Sequence, residues 1–150
     1  MDQKEVWPLF VSKLPISLRL NLIAFIVYVP LGIGLGVLTA VKRNSATDYI
    51  VGFFTMILSA IPSFIMIFAL IYIFAYVFRW LPSVYPLGSD SVIRSLKGLI
   101  IPIFALSVGP VANLSRVMRG ELTEALSAEY VLLAKVKGLT KKQTIFRHAF

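Results

Sequence analysis

The chain has 150 residues and no cysteine. That excludes a disulfide framework, a thiol nucleophile and a cysteine-based metal site. Histidine occurs once, at His148, so no histidine pair exists to hold a metal ion. No serine has a nearby His and Asp in sequence to form a nucleophilic triad. No Walker-type glycine loop occurs, so the chain is not expected to bind or hydrolyse ATP itself. Acidic residues are scarce, 7 against 15 Lys and Arg, for a formal charge of +8. Glu121, Glu124 and Glu129 are spaced as solvated helix-face charges, not as a buried carboxylate pair. The basic excess lacks the aromatic interleaving that binds single strands, so nucleic acid is not an expected partner. No catalytic constellation and no cofactor follow from these residues.

What is present is apolar residue in long blocks. Hydrophobic residues make up 58% of the chain, above the soluble average and arranged as runs rather than periodically, which means membrane. Met1 to Lys13 is mixed in character and lacks the order of a signal peptide. Trp7 and Phe10 suit a membrane interface. The first span is predicted over about 14–41, with Pro15 in its first helical turn. Leu22 to Val41 is free of charge over 20 residues, enough to cross the hydrocarbon core. Gly32, Gly36 and Ala40 recur every fourth position and place small residues on one helix face, where another helix can approach. The Gly-x-Gly-x-Gly run here lies in an apolar helix with no preceding strand, so it is not a phosphate loop.

Lys42 to Asp48 reads as a short polar turn. Its Lys42 and Arg43 place it in the cytoplasm by the positive-inside rule. The second span is predicted over about 49–78, with Pro62 in its middle between Ser59 and Ser63. Proline bends a helix by removing a donor. Two readings of that bend stand open: a lining of a translocation path formed by Ser59, Pro62 and Ser63, or an ordinary packing kink. Arg79 to Lys97 reads as an outside loop, with Trp80 at the interface and a turn at Tyr85-Pro86-Leu87-Gly88. The third span is predicted over about 98–114, a short one interrupted by Pro102, Gly109 and Pro110. Its Asn113 either hydrogen-bonds across helices or faces the path.

Residues 116–150 form a last, cytoplasmic part with seven basic and three acidic residues. Arg116 and Arg119 are expected to face Glu121 and Glu124 at helical spacing. A short helix is predicted over Ala128 to Lys137, with Ser127 as its N-cap and Glu129 in its first turn. Gly138 follows as the left-handed residue that ends a helix. Thr140 to Gln143 fits a capping box that starts a second one. By physics alone such a basic amphipathic stretch reads as a juxtamembrane segment on anionic lipid. With three alternating spans, the N-terminus lies outside and the C-terminus inside.

The same stretch carries a resemblance. Glu129-Tyr130-Val131, Ala134-Lys135, Lys137-Gly138-Leu139 and Arg147-His148-Ala149 resemble the cytoplasmic loop of the oligopeptide/dipeptide/nickel permease family. These are the B-type inner-membrane subunits of binding-protein-dependent ABC importers. The loop is that family's form of the wider Glu-Ala-Ala loop. Here its first slots hold Leu132-Leu133-Ala134, so only the last residue matches. Leu14-Pro15 with Ser17-Leu18, Ala60-Ile61-Pro62-Ser63-Phe64, and Trp80-Leu81-Pro82 also resemble family features.

The resemblance implies an all-α, polytopic fold with three transmembrane helices and a cytoplasmic helix–Gly turn–helix coupling loop, forming part of an ABC importer permease. It implies a bacterial or archaeal inner-membrane location. It further implies a solute path shared with a second permease subunit, two cytoplasmic ATPase subunits and an extracytoplasmic solute-binding protein, with peptide as the common cargo. Glu129, Tyr130, Ala134, Lys137, Gly138, Leu139, Arg147 and His148 would form the ATPase-coupling element. The family normally has one more span upstream and two downstream, so the chain is expected to be a partial permease domain, a fragment or truncated frame. The rival from another class is a small helical membrane scaffold or anchor without a solute path. An intramembrane enzyme is disfavoured by the lack of paired polar groups.

Overall fold

In the computed structural model, the described residues are 3–84 and 91–129, with Val131, Val136, Gly138 and Gln143. All regular structure among them is helical. Helix α1 spans Gln3–Val41, α2 Ala46–Ala60, α3 Ser63–Ile71, a π-helical turn Tyr72–Val77, and α4 Val92–Ser127. Among the described residues, two helices are long and apolar enough to cross a membrane, Val6–Val41 and Ile93–Ser127. The interrupted pair Ala46–Ala60 and Ser63–Val77 makes a third if it counts as one span.

The helices depart from the sequence expectation at their prolines. Helix α1 begins at Gln3, so Pro15 lies in its interior rather than its first turn. Helix α4 runs unbroken from Val92 through Pro102, Gly109 and Pro110, where an interruption was expected. In a membrane helix the groups freed by proline are satisfied by neighbouring turns and helices, so continuity survives. The region Val92 to Lys97, expected as loop, is already helical. Pro62 does break its span. It sits in extended backbone, φ −55 and ψ 139, directly before α3. Tyr85-Pro86-Leu87-Gly88 lies outside the described residues.

Burial follows membrane logic. Ala24, Ala40, Ala105 and Ala112 are buried, whereas Phe25, Ile26, Phe53 and Phe68 are exposed. Small side chains let backbones approach, and large ones face the surrounding phase. The chain forms two compact units. One comprises Met1–Tyr28 with Ala60–Gly109, the other Val29–Ser59 with Pro110–Phe150. In the second unit, α1 and α4 meet at glycine. A Cβ at Gly32 would lie 2.9 Å from Leu114 Cβ. One at Gly36 would lie 2.6 Å from Met118 Cβ and 2.8 Å from the Ser115 carbonyl oxygen. Ala40 is buried on the same helix. In the first unit, the chain turns back after the π-helical turn, where the Phe74 carbonyl accepts the Trp80 and Leu81 N–H groups at 2.9 and 3.2 Å.

Candidate coupling site

The second unit holds the strongest polar constellation among the described residues. It begins with the turn after α1. Asn44 takes a left-handed conformation, φ 62, which short polar side chains tolerate. Ser45 Oγ donates to the Lys42 carbonyl at 2.6 Å. The chain then enters α2 with Asp48 in its first turn, where a carboxylate complements the helix dipole. Asp48 Oδ2 also accepts the Asn44 N–H at 3.0 Å.

Across from this turn stands α4. Arg119 Nε donates to Asp48 Oδ1 at 2.6 Å, and its Nη2 to Oδ2 at 2.7 Å. This two-pronged geometry is the strong, directional form of the ion pair. The Asp48 side chain is 5% exposed and that of Arg119 37%, so the carboxylate is dry while the guanidinium is partly open. One turn earlier, Arg116 Nη2 donates to Ser59 Oγ at 3.1 Å, and Ser59 Oγ donates to the Met56 carbonyl at 2.9 Å. Two arginines of α4 therefore hold α2 near both of its ends. An open cavity of about 340 Å³ lies between them, lined by Thr39, Tyr49, Thr55, Ser115 and Arg116 among others. Its Thr39 hydroxyl is spent on α1 itself, donating to the Leu35 and Gly36 carbonyls. The expected facing of Arg116 and Arg119 toward Glu121 and Glu124 is replaced by these contacts to α2.

Downstream, α4 ends at Ser127. The Ser127 hydroxyl donates back to the Thr123 carbonyl at 2.9 Å and serves as the last residue of α4, not as the N-cap assigned from sequence. The chain continues through i→i+3 bonds, Ala128 N–H to Ala125 and Val131 N–H to Ala128. Glu129 is helical and exposed, and Val131 is buried. Val136 and Gln143 are helical, and Gly138 between them sits in a turn with φ +84. Of the expected coupling residues, Tyr130, Ala134, Lys137, Leu139, Arg147 and His148 lie outside the described residues.

The four residues considered for a solute path are dispersed in role. Ser59 is exposed and engaged by Arg116. Pro62 and Ser63 are exposed at the start of α3, and Asn113 is exposed on α4. Among the described residues, no cluster of three His, Cys, Asp or Glu could hold a metal ion.

Residues 32–150 match the model of a family described as binding-protein-dependent transport system inner membrane components. The chain belongs to that family. This transport component is 36% identical over 141 residues to the oligopeptide transport system permease protein OppB of Salmonella typhimurium, covering 94% of the chain and 44% of that protein. It is 36% identical over 146 residues to OppB of Haemophilus influenzae, covering 97% and 46%. It is 30% identical over 146 residues to the dipeptide transport system permease protein DppB of Lactococcus lactis, again covering 97% and 46%. Each of these relatives is named a permease protein. The chain spans less than half the length of these relatives.

In this inner membrane component, the pairing of Asp48 with Arg119 was missed from sequence because the partners are 71 residues apart. A signal was available. Asp48 is the one acidic residue between Glu5 and Asp90, and a lone acid beside apolar spans requires a cation.

Proposed function

We propose that the chain forms part of the transmembrane subunit of an ABC importer for oligopeptides or dipeptides. Its 128–150 region couples the spans to a cytoplasmic ATPase. A second permease subunit completes the solute path, two ATPase subunits dock from the cytoplasm, and an extracytoplasmic binding protein delivers the cargo. The C-terminal region lies on the cytoplasmic side, in agreement with its excess of basic residues.

The observation that carries this reading is the match to the transport family over residues 32–150, which takes in residues 128–150. The geometry supplies a physical route for coupling. Helix α4 runs unbroken to Ser127, directly ahead of the loop, and Arg119 and Arg116 tie it to α2. A push on the loop then moves two helices as one body, the kind of rigid rocking that alternating access uses. Val136 is 80% exposed and offers an apolar contact to a partner. Peptide cargo is proposed from the names of the relatives.

The test uses the lack of native cysteine. Val136→Cys gives the one thiol within these 150 residues, for cross-linking in membranes that contain the whole transport system. A cross-link to the ATPase subunit is expected. Labelling by lipid-borne reagents alone, with the chain folded, contradicts the coupling role and favours a loop resting on lipid.

A further inference from the structure

The first unit carries a second polar site, remote in sequence from the loop and independent of the transport reading. After the π-helical turn, Arg79 adopts a left-handed backbone, φ 55. That conformation is unfavourable for a residue other than glycine, and such positions concentrate where a side chain has a task. The turn at Arg79 folds Trp80 back onto the helix end. The Trp80 ring stacks on Phe78 at 4.7 Å and reaches Phe74 at 6.1 Å. Arg79, Trp80 and Pro82 then line a cavity of about 350 Å³ together with Arg94 and Lys97 from the first turns of α4. Three cations share this cavity, and no carboxylate is among its described lining residues.

Next to it lies a cleft of about 150 Å³ lined by Leu70, Phe74, Leu81, Ile100, Ile101 and Phe104. Its lining is wholly apolar. Leu81 lines both cavities, so the cationic chamber and the apolar cleft adjoin. A ligand that fills both must carry an anionic head on a hydrocarbon tail.

We propose that Arg79–Pro82 and the start of α4 form a binding site for an anionic phospholipid. Arg79, Arg94 and Lys97 hold the headgroup phosphate, Trp80 packs at the glycerol level, and one acyl chain enters the cleft beyond Leu81. Trp at the interface and basic side chains at headgroup depth are the groups that membranes place there. An acidic protein surface would satisfy the cations but leave the apolar cleft unfilled, so lipid is the better match.

The test is fluorescence quenching of Trp80 in the full chain reconstituted in vesicles, with Trp7→Phe so that Trp80 alone reports. Brominated phosphatidylglycerol, at a low fraction in unlabelled lipid, is expected to quench Trp80 more strongly than brominated phosphatidylcholine at the same fraction. Arg94→Gln and Lys97→Gln should each lower the apparent affinity for phosphatidylglycerol about fivefold, with added salt acting in the same direction. Arg79→Gly removes a cation while suiting the left-handed backbone, so its loss of quenching cannot be assigned to misfolding. Equal quenching by the two lipids would mean bulk contact only and would overturn the site. Unchanged phosphatidylglycerol quenching in Arg79→Gly and Arg94→Gln would overturn it as well.

Discussion

Arg119 on α4 grips Asp48 at the start of α2 through two parallel hydrogen bonds of 2.6 and 2.7 Å. The carboxylate is buried, so removal of the guanidinium leaves it with the Asn44 N–H in place of two charged donors. A fully buried pair broken on one side costs about 3–5 kcal/mol, and the partial exposure of Arg119 brings Arg119→Ala nearer ~2 kcal/mol. Arg119→Lys keeps the charge but not the fork, and should recover only part of that loss. Asp48→Asn with Arg119→Gln, which removes both charges, should be milder than Arg119→Ala alone. Thermal unfolding of the three variants in one detergent checks the order.

Gly36 meets α4 more closely than any side chain allows. An added Cβ would fall 2.6 Å from Met118 Cβ and 2.8 Å from the Ser115 carbonyl. The backbone oxygen cannot swing aside as a flexible side chain does. Gly36→Ala should therefore destabilise by about 1–3 kcal/mol, the usual cost of overpacking. Gly34, two residues earlier, has nothing within 4 Å of its added Cβ. Gly34→Ala should be neutral or stabilise by up to about 1 kcal/mol through helix propensity. Unfolding midpoints measured side by side separate the two.

Gly138 carries φ +84, and an added Cβ there would meet none of the described residues within 4 Å. The cost of a substitution is thus conformational, about 1–2 kcal/mol for a residue with a side chain. Gly138→Val should leave membrane insertion and the α4–α2 contacts intact. Solute uptake by the assembled system should fall severalfold, because the turn that presents the loop is displaced. Uptake measured against the amount of inserted chain checks this. Unchanged uptake would point to a loop that merely lies on lipid.

The long apolar blocks made the all-helical architecture legible, and Pro62 marked the break between α2 and α3. Three features were hidden for identifiable reasons. In a one-dimensional reading Pro15 marks a helix start and Pro102 and Pro110 mark interruptions, yet α1 already runs from Gln3 and α4 continues past both of its prolines. The polar residues 42–48 read as a topology signal, and that explanation concealed the structural task of Asp48. The third is the Arg119 contact itself. Periodicity along α4 pointed to local charges at Glu121 and Glu124, whereas burial of Asp48 made it the stronger attractor. Exposed charges in water gain little from each other, and a dry carboxylate gains much.

Purification of the protein from its native membrane in mild detergent, followed by mass spectrometry of its companions, tests the importer reading most directly. Recovery with a second permease-type chain and two ATPase chains in fixed proportion is the expected result. Recovery of the folded chain alone, with its unfolding transition intact, would contradict the coupling role and leave a helical membrane scaffold.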